Sequence, residues 1–415
     1  MLDFEKVPRG IYNTNFFSIF IDGQFDAKLE NLNKQDLGTF AHEYLHFIQN
    51  LTTLYGLKYG IFHFQRLGEL KRFLESSSEI SLPINDDFMS NRIDEGKEVF
   101  DCLNGTPESN VEGYTSYEIN LVTKTCGKNT YEVVEISFYK GNELSKKVDF
   151  GATCIKESMA HYFQSFFDDE LNHEIIPYKS AELLIKIINP QLVSDKRKII
   201  SLLLFSLSAI NPGHTFYKVL IESKNYPELN GYDLYSRLVK SHKVVERKVT
   251  YLFNEYLLKS LNDFEQCLST HTATELSHFK RLIENIQNNI TNNIVPILYV
   301  LYDEELTKIE KINALIDNYG IPSIRTNDGI LHFPGDSVNQ APSTDIVDFL
   351  IQRVVLERLY EKGSLKTICS MVQICQLSDE NFVDHNCYEN QWRRQKECPF
   401  TIISNDWGLK EKIKI

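Results

Sequence analysis

Between residues 34 and 55 apolar side chains recur every three or four positions: Leu37, Phe40, Ala41, Tyr44, Leu45, Ile48 and Leu51. That spacing places them on one face of a helix. Asn33 is suited to cap its start, Asp36 falls in its first turn, and Gly56 is placed to stop it. A second helix is predicted over 57–75. Ahead of both, FFSIFID at 16–22 is aromatic and β-branched and runs into Gly23, which predicts a strand.

Residues 76–112 are polar, with SSS, NDD and NGTPESN, and read as loop and short helix. Three alternating segments at 114–122, 130–139 and 146–150, joined by the turns CGKN and KGNE, predict an antiparallel insertion. From 152 to about 311 the periodicity is mainly helical, broken at Pro177, NPQ, NPG, Pro227 and NNIVP. The most apolar run, IISLLLFSLSAI at 199–210, is too short to span a bilayer and reads as a buried helix. A Gly/Pro-containing loop is predicted over 320–345, a further helix over 346–361, and then a cysteine-bearing tail. The sum is an α+β fold, predominantly helical. It divides into an N-terminal unit (1–75), a loop and strand insertion (76–150), a helical lobe (151–320) and a C-terminal loop and helical segment (321–415).

Composition changes this picture little. The chain has 415 residues, 42% hydrophobic and 24% charged, which is enough for a core of ordinary size. A net charge of -13 argues against nucleic acid and against an anionic membrane surface, both of which need clustered Lys and Arg. The KEKIKI end is a short solvated tail. MLDFEKVPRG has acidic residues where a signal peptide needs basic ones and no apolar stretch follows, so a cytoplasmic location is expected. Eight cysteines in a chain this long are too sparse for a disulfide framework, and most are expected as free thiols.

The first helix also carries chemistry. His42 and His46 are four residues apart, so on a helix their Cβ atoms lie about 5–6 Å apart on one face. Two imidazoles at that spacing can bind one zinc ion at about 2.0–2.1 Å. Glu43 lies roughly 100° further round, too far to complete the pair as a ligand but within reach of a water on the metal. A carboxylate there can take that water's proton and hand it to a leaving amine. HExxH thus spells ligand, base, ligand in the arrangement that peptide hydrolysis needs.

HEYLHFIQ resembles the active-site helix of the zincin metallopeptidases. The resemblance covers about the first sixty residues and one later helix. It implies a zincin-like N-terminal sheet packed on the metal helix, a helical C-terminal lobe closing the cleft, one catalytic Zn2+ on His42 and His46, and Glu43 as general acid/base. The metzincin continuation is absent, since Phe47, Ile48 and Gln49 follow His46 with no glycine or histidine at the required places. The gluzincin solution takes its third ligand from a glutamate on a later helix. Glu157, in ATCIKESMAHYFQSFF among Ile155, Met159, Ala160 and Phe163, is the candidate, because a glutamate on such a face is costly unless paired or metal-bound. His161, one turn on, stands where gluzincins carry an acidic residue that orients a ligand. It is read as a ligand itself or as a donor to one, or else as a core histidine beside a surface glutamate.

Other groups carry weaker signals. His214, in the helix break NPGHTFY, and Tyr217 are candidates for stabilising an oxyanion. Cys369, Cys375, Cys387 and Cys398 cluster near His385, but without a CxxC knuckle they read as buried thiols. The expectation is a zinc-dependent peptidase that hydrolyses a restricted protein or peptide substrate and is controlled by an activating or inhibiting protein partner. The alternatives are a silent zincin-like scaffold that binds a partner and a non-peptidase hydrolase using the same metal and water.

Overall fold

The computed structural model describes residues 9–171, 173–246, 248–272, 276–327, 330–332, 344–360, 368–369, 371–372, 375–376, 382–409 and 412–414. Its elements run β1 (Gly10–Asn13), β2 (Ser18–Ile21), α1 (Lys34–Thr52), α2 (Leu54–Ser76), β3 (Ile80–Ser81), α3 (Asn91–Asn104), β4 (Ser116–Cys126), β5 (Asn129–Lys140), β6 (Glu143–Phe150) and α4 (Ala152–Gln164). Helices then dominate: α5 (Ser180–Ile188), α6 (Lys196–Ser206), α7 (Pro212–Ser223) and α8 (Gly231–Ser241). The hairpin β7 (Lys243–Glu246) and β8 (Val249–Leu252) precedes α9 (Phe253–Ser269), α10 (Ser277–Thr291), α11 (Pro296–Tyr302) and α12 (Lys308–Tyr319). The strands β9 (Ser323–Thr326) and β10 (Leu331–His332) and the helix α13 (Thr344–Tyr360) follow, with short helices at Asn386–Glu389 and Pro399–Asp406. The fold is α+β and predominantly helical, as the periodicity predicts.

α1 begins where the sequence places it. The Asn33 side chain accepts from the backbone N–H groups of Gln35 at 3.0 Å and Asp36 at 2.9 Å, satisfying two donors that the helix itself cannot. Its end differs from expectation. Thr53 breaks the helix, and its hydroxyl accepts from Gly56 N–H at 3.1 Å, which caps α2. Gly56 therefore lies inside α2 instead of stopping α1. The glycine is needed for close approach: a Cβ there would stand 2.4 Å from the Gln49 carbonyl oxygen.

The sheet beside α1 runs β1-β2-β9-β10. β1 and β2 are antiparallel, and β2 and β9 are parallel with Ile19 opposite Ile324. Three of these strands, β1, β9 and β10, escape the sequence reading, and β9 and β10 lie where loop was expected. None of them carries a run of β-branched and aromatic residues like the one that marks β2. β9 is held by β2, a partner some 300 positions away in the chain, with Ser323 N–H donating to Phe17 C=O at 3.1 Å. The rest of that expected loop, 328–329 and 333–343, lies outside the described residues, as do residues 410, 411 and 415 of the basic tail. β4, β5 and β6 form the antiparallel insertion, with longer strands than expected.

The main core centres on Phe17. Its backbone is left-handed, with φ +46°, which is unfavourable for a bulky side chain. Burial offsets this: Phe279, Phe349, Phe264 and Phe64 surround the ring with centroids 4.4, 5.3, 6.3 and 6.5 Å away. α1 lies in the same core, packed chiefly on α4, with Phe40, Tyr44, Leu45, Phe47, Ile48 and Leu51 fully buried. A smaller core joins Leu70, Leu74 and Ile80 to α13 and the C-terminal helices, and it includes Cys369, Cys387, Cys398 and Trp407. Cys369, Cys375, Cys387 and Cys398 are free thiols, as expected, whereas Cys102 and Cys126 form a disulfide that ties α3 to the end of β4. Among the described residues no helix is long and apolar enough to cross a membrane.

Candidate metal centre

The α1 register that buries Leu45 and Ile48 turns His42 and His46 towards α4. Their rings are edge to face with centroids 4.9 Å apart. Glu157 approaches from α4 and places one carboxylate oxygen, Oε2, 3.1 Å from His42 Nε2 and 3.3 Å from His46 Nε2. Among the described residues this is the one group of three or more His, Cys, Asp or Glu whose ligand atoms lie within 4.8 Å of one another.

The other ring nitrogens fix what these atoms present to one another. His42 Nδ1 donates to Gln164 Oε1 at 3.0 Å, and His46 Nδ1 donates to Gln49 Oε1 at 2.9 Å. Each imidazole in its neutral form then turns a lone pair on Nε2 towards the Glu157 carboxylate. Lone pairs facing a carboxylate repel unless a cation lies among them or the rings take a second proton. Donors at about 2.0–2.1 Å from a tetrahedral zinc stand roughly 3.3 Å apart, close to the observed 3.1 and 3.3 Å. The residues present therefore fit zinc in both chemistry and spacing. Burial alone would raise the Glu157 carboxyl, but His46 and His42 hold it well below the ordinary carboxylate range.

Glu43 lies beside the trio, and it is only 7% exposed. It is wedged against β1: a Cβ on Gly10 would lie 2.6 Å from Glu43 Cγ and 2.7 Å from Oε1, so only glycine leaves room there. The Tyr12 N–H donates to its carboxylate. Burial pushes the Glu43 carboxyl up to about 7, with His42 opposing and Glu157 adding to the rise. A group that titrates near neutrality can both accept and return a proton.

The cavity above these groups measures about 260 Å³. β1 supplies Gly10, Ile11 and Tyr12, α2 supplies Tyr55, Gly56 and Tyr59, and Lys156, Glu157 and Tyr178 come from α4 and the turn after it. Tyr178 is fixed because Ser158 and Ser180 both donate to the neighbouring Pro177 carbonyl, at 3.2 and 2.6 Å. Its ring centroid is 5.9 Å from that of His42, and burial raises its hydroxyl pKa. A second cavity of about 290 Å³, between α8, α9 and α10, is mainly apolar and brings together no comparable set of ionisable groups.

His42, Glu43, His46 and Glu157 thus converge. His161 does not join them. Its ring packs against His173 at 5.2 Å, its Nδ1 is buried without a partner, and burial with His173 lowers its pKa to about 3. The orienting contact expected of His161 comes from Gln164, one turn further along the same face of α4, whose Oε1 also accepts from His173 Nε2 at 3.1 Å. His214 lies in the first turn of α7, where its backbone N–H donates to the capping Asn211 side chain, and its Nε2 is 3.2 Å from Glu132 of β5, while Tyr217 packs on the main core; neither lines the cavity. Gln164, Tyr178, Lys156 and β1 were not selected from sequence. Glutamine and tyrosine carry no spacing signature, and their placement depends on tertiary contacts. No family model, no curated protein and no solved structure matches this chain.

Proposed function

We propose that the protein is a zinc-dependent peptidase of zincin type that acts on a restricted protein or peptide substrate. The observation that carries this reading is the convergence of His42 Nε2, His46 Nε2 and Glu157 Oε2 within ligand distance of one another, with the buried Glu43 alongside. When bound, zinc lowers the pKa of water and polarises the scissile carbonyl. The remaining work falls to the chain. Gln164 and Gln49 hold the two imidazoles in the tautomer that presents Nε2. Glu43 takes a proton from the attacking water and returns it to the leaving amine. β1 is the outer strand of its sheet and borders the cavity, so an extended substrate can lie along it. Tyr178 supplies a hydroxyl donor to the oxygen that gains charge. The modest cavity supports a narrow substrate range.

The test combines metal analysis with a peptide library. The purified protein is expected to hold about one zinc, lost in H42A, H46A and E157A. E43Q is expected to retain zinc and lose turnover. Full activity in E43Q would refute the assignment. Zinc retention without cleavage of any peptide would point instead to a scaffold that binds without turning over.

A further inference from the structure

Lys156 is the single Lys or Arg among the residues that line the metal cavity. It directly precedes Glu157, and its own carbonyl accepts from Gln49 Nε2 at 3.2 Å. The other end of that amide accepts from His46 Nδ1. One glutamine therefore fixes both His46 and the peptide that carries the lysine, so the root of the Lys156 side chain keeps a set position relative to the histidines. Lys156 Nζ lies over the Tyr59 ring, 5.8 Å from its centroid. Among the described residues no carboxylate comes within ion-pair distance of it, although seven other lysines form such pairs. The two carboxylates nearby are committed elsewhere: Glu157 faces the two histidines, and Glu43 is pressed on β1.

A half-buried ammonium without a counter-ion is an unfavourable arrangement that an anionic ligand relieves. We propose that Lys156 recognises a substrate carboxylate, placed close to the scissile bond by the small size of the cavity; this rests on the zinc peptidase reading. The carboxylate has two possible sources. It is either the chain-terminal carboxylate, which makes the enzyme an exopeptidase at the C-terminal end, or an Asp or Glu side chain next to the cleaved bond.

The test uses the full zinc-loaded chain and calorimetry with three mercaptoacetyl dipeptides, whose thiol anchors them to zinc without turnover. The first has neutral side chains and a free terminal carboxylate, the second is its C-terminal amide, and the third is the amide carrying a glutamate. Either the first or the third is expected to bind about tenfold or more tightly than the second, identifying the terminal or the side-chain source respectively. That advantage is expected to vanish in K156M and persist in K156R, with zinc content unchanged in both and the thermal midpoint of K156M no lower than that of the wild type. Equal binding of all three, binding of none, or an advantage that survives in K156M would overturn the inference. Zinc is quantified first: a wild-type chain that holds none sinks the peptidase reading itself, whereas a zinc-loaded chain indifferent to carboxylate sinks only the role of Lys156.

Discussion

Glu43 offers a prediction that needs neither substrate nor metal. Burial raises its carboxyl from 4.5 to about 7 in the folded protein. Over that interval the folded state keeps a proton that the unfolded state has released. The stability associated with the group is therefore complete below about pH 4.5 and declines as pH rises towards 7. The slope is about 1.4 kcal/mol per pH unit, and the 2.5-unit difference between 4.5 and 7 amounts to roughly 3 kcal/mol. Gln occupies nearly the same volume and does not titrate. In chelator-treated protein, E43Q is thus expected to gain about 3 kcal/mol on the wild type between about pH 4.5 and pH 8. For 415 residues this is a relative rise in thermal midpoint of about 4 °C. Paired thermal melts across that range measure it. His63, whose environment does not include Glu43, contributes equally to both proteins and cancels in the difference. Parallel curves with a constant offset would show that Glu43 ionises normally and would remove the basis for its dual acid and base role.

Other expectations follow from the same geometry. Q164A and Q49A each leave one ligand histidine without its hydrogen-bond acceptor and are expected to weaken zinc binding about 10- to 100-fold in a chelator competition, without unfolding the chain. G10A is expected to push Glu43 out of place, lowering turnover while zinc content stays near one; an unchanged rate would mean that the strand gives way instead. F17A removes a fully buried ring from the main core and is expected to cost about 3–5 kcal/mol in denaturant melts, while zinc binding persists where the protein remains folded. His63, whose pKa burial lowers to about 3, must stay neutral in the fold. Its contribution is complete above about pH 6.5 and is lost as pH falls towards 3, so H63Q is expected to flatten the acid limb of the stability profile.

How far the sequence reaches depends on the range of the interaction concerned. The His42 and His46 pair on α1 and the Asn33 cap are short-range features: helical geometry alone puts residues i and i+4 on one face, and the cap acts within three positions. The long helices and the three-stranded insertion were readable for the same reason, as periodicity repeated over many residues. Glu157 was reached through a local anomaly, a glutamate among apolar neighbours, but its contact with His42 spans 115 positions. No such anomaly marks Gln164, Tyr178 or Lys156. His161 and Gln164 lie on the same helix face, and only the loop that brings His173 against them decides which one meets His42. β1 and β9 lack a strand-forming run of their own and exist because β2 lies between them. The sequence alone determined which helix presents two imidazoles and a carboxylate. The tertiary structure decided what faces them, because those partners are selected by packing between segments far apart in the chain, and packing leaves no period in the sequence to read.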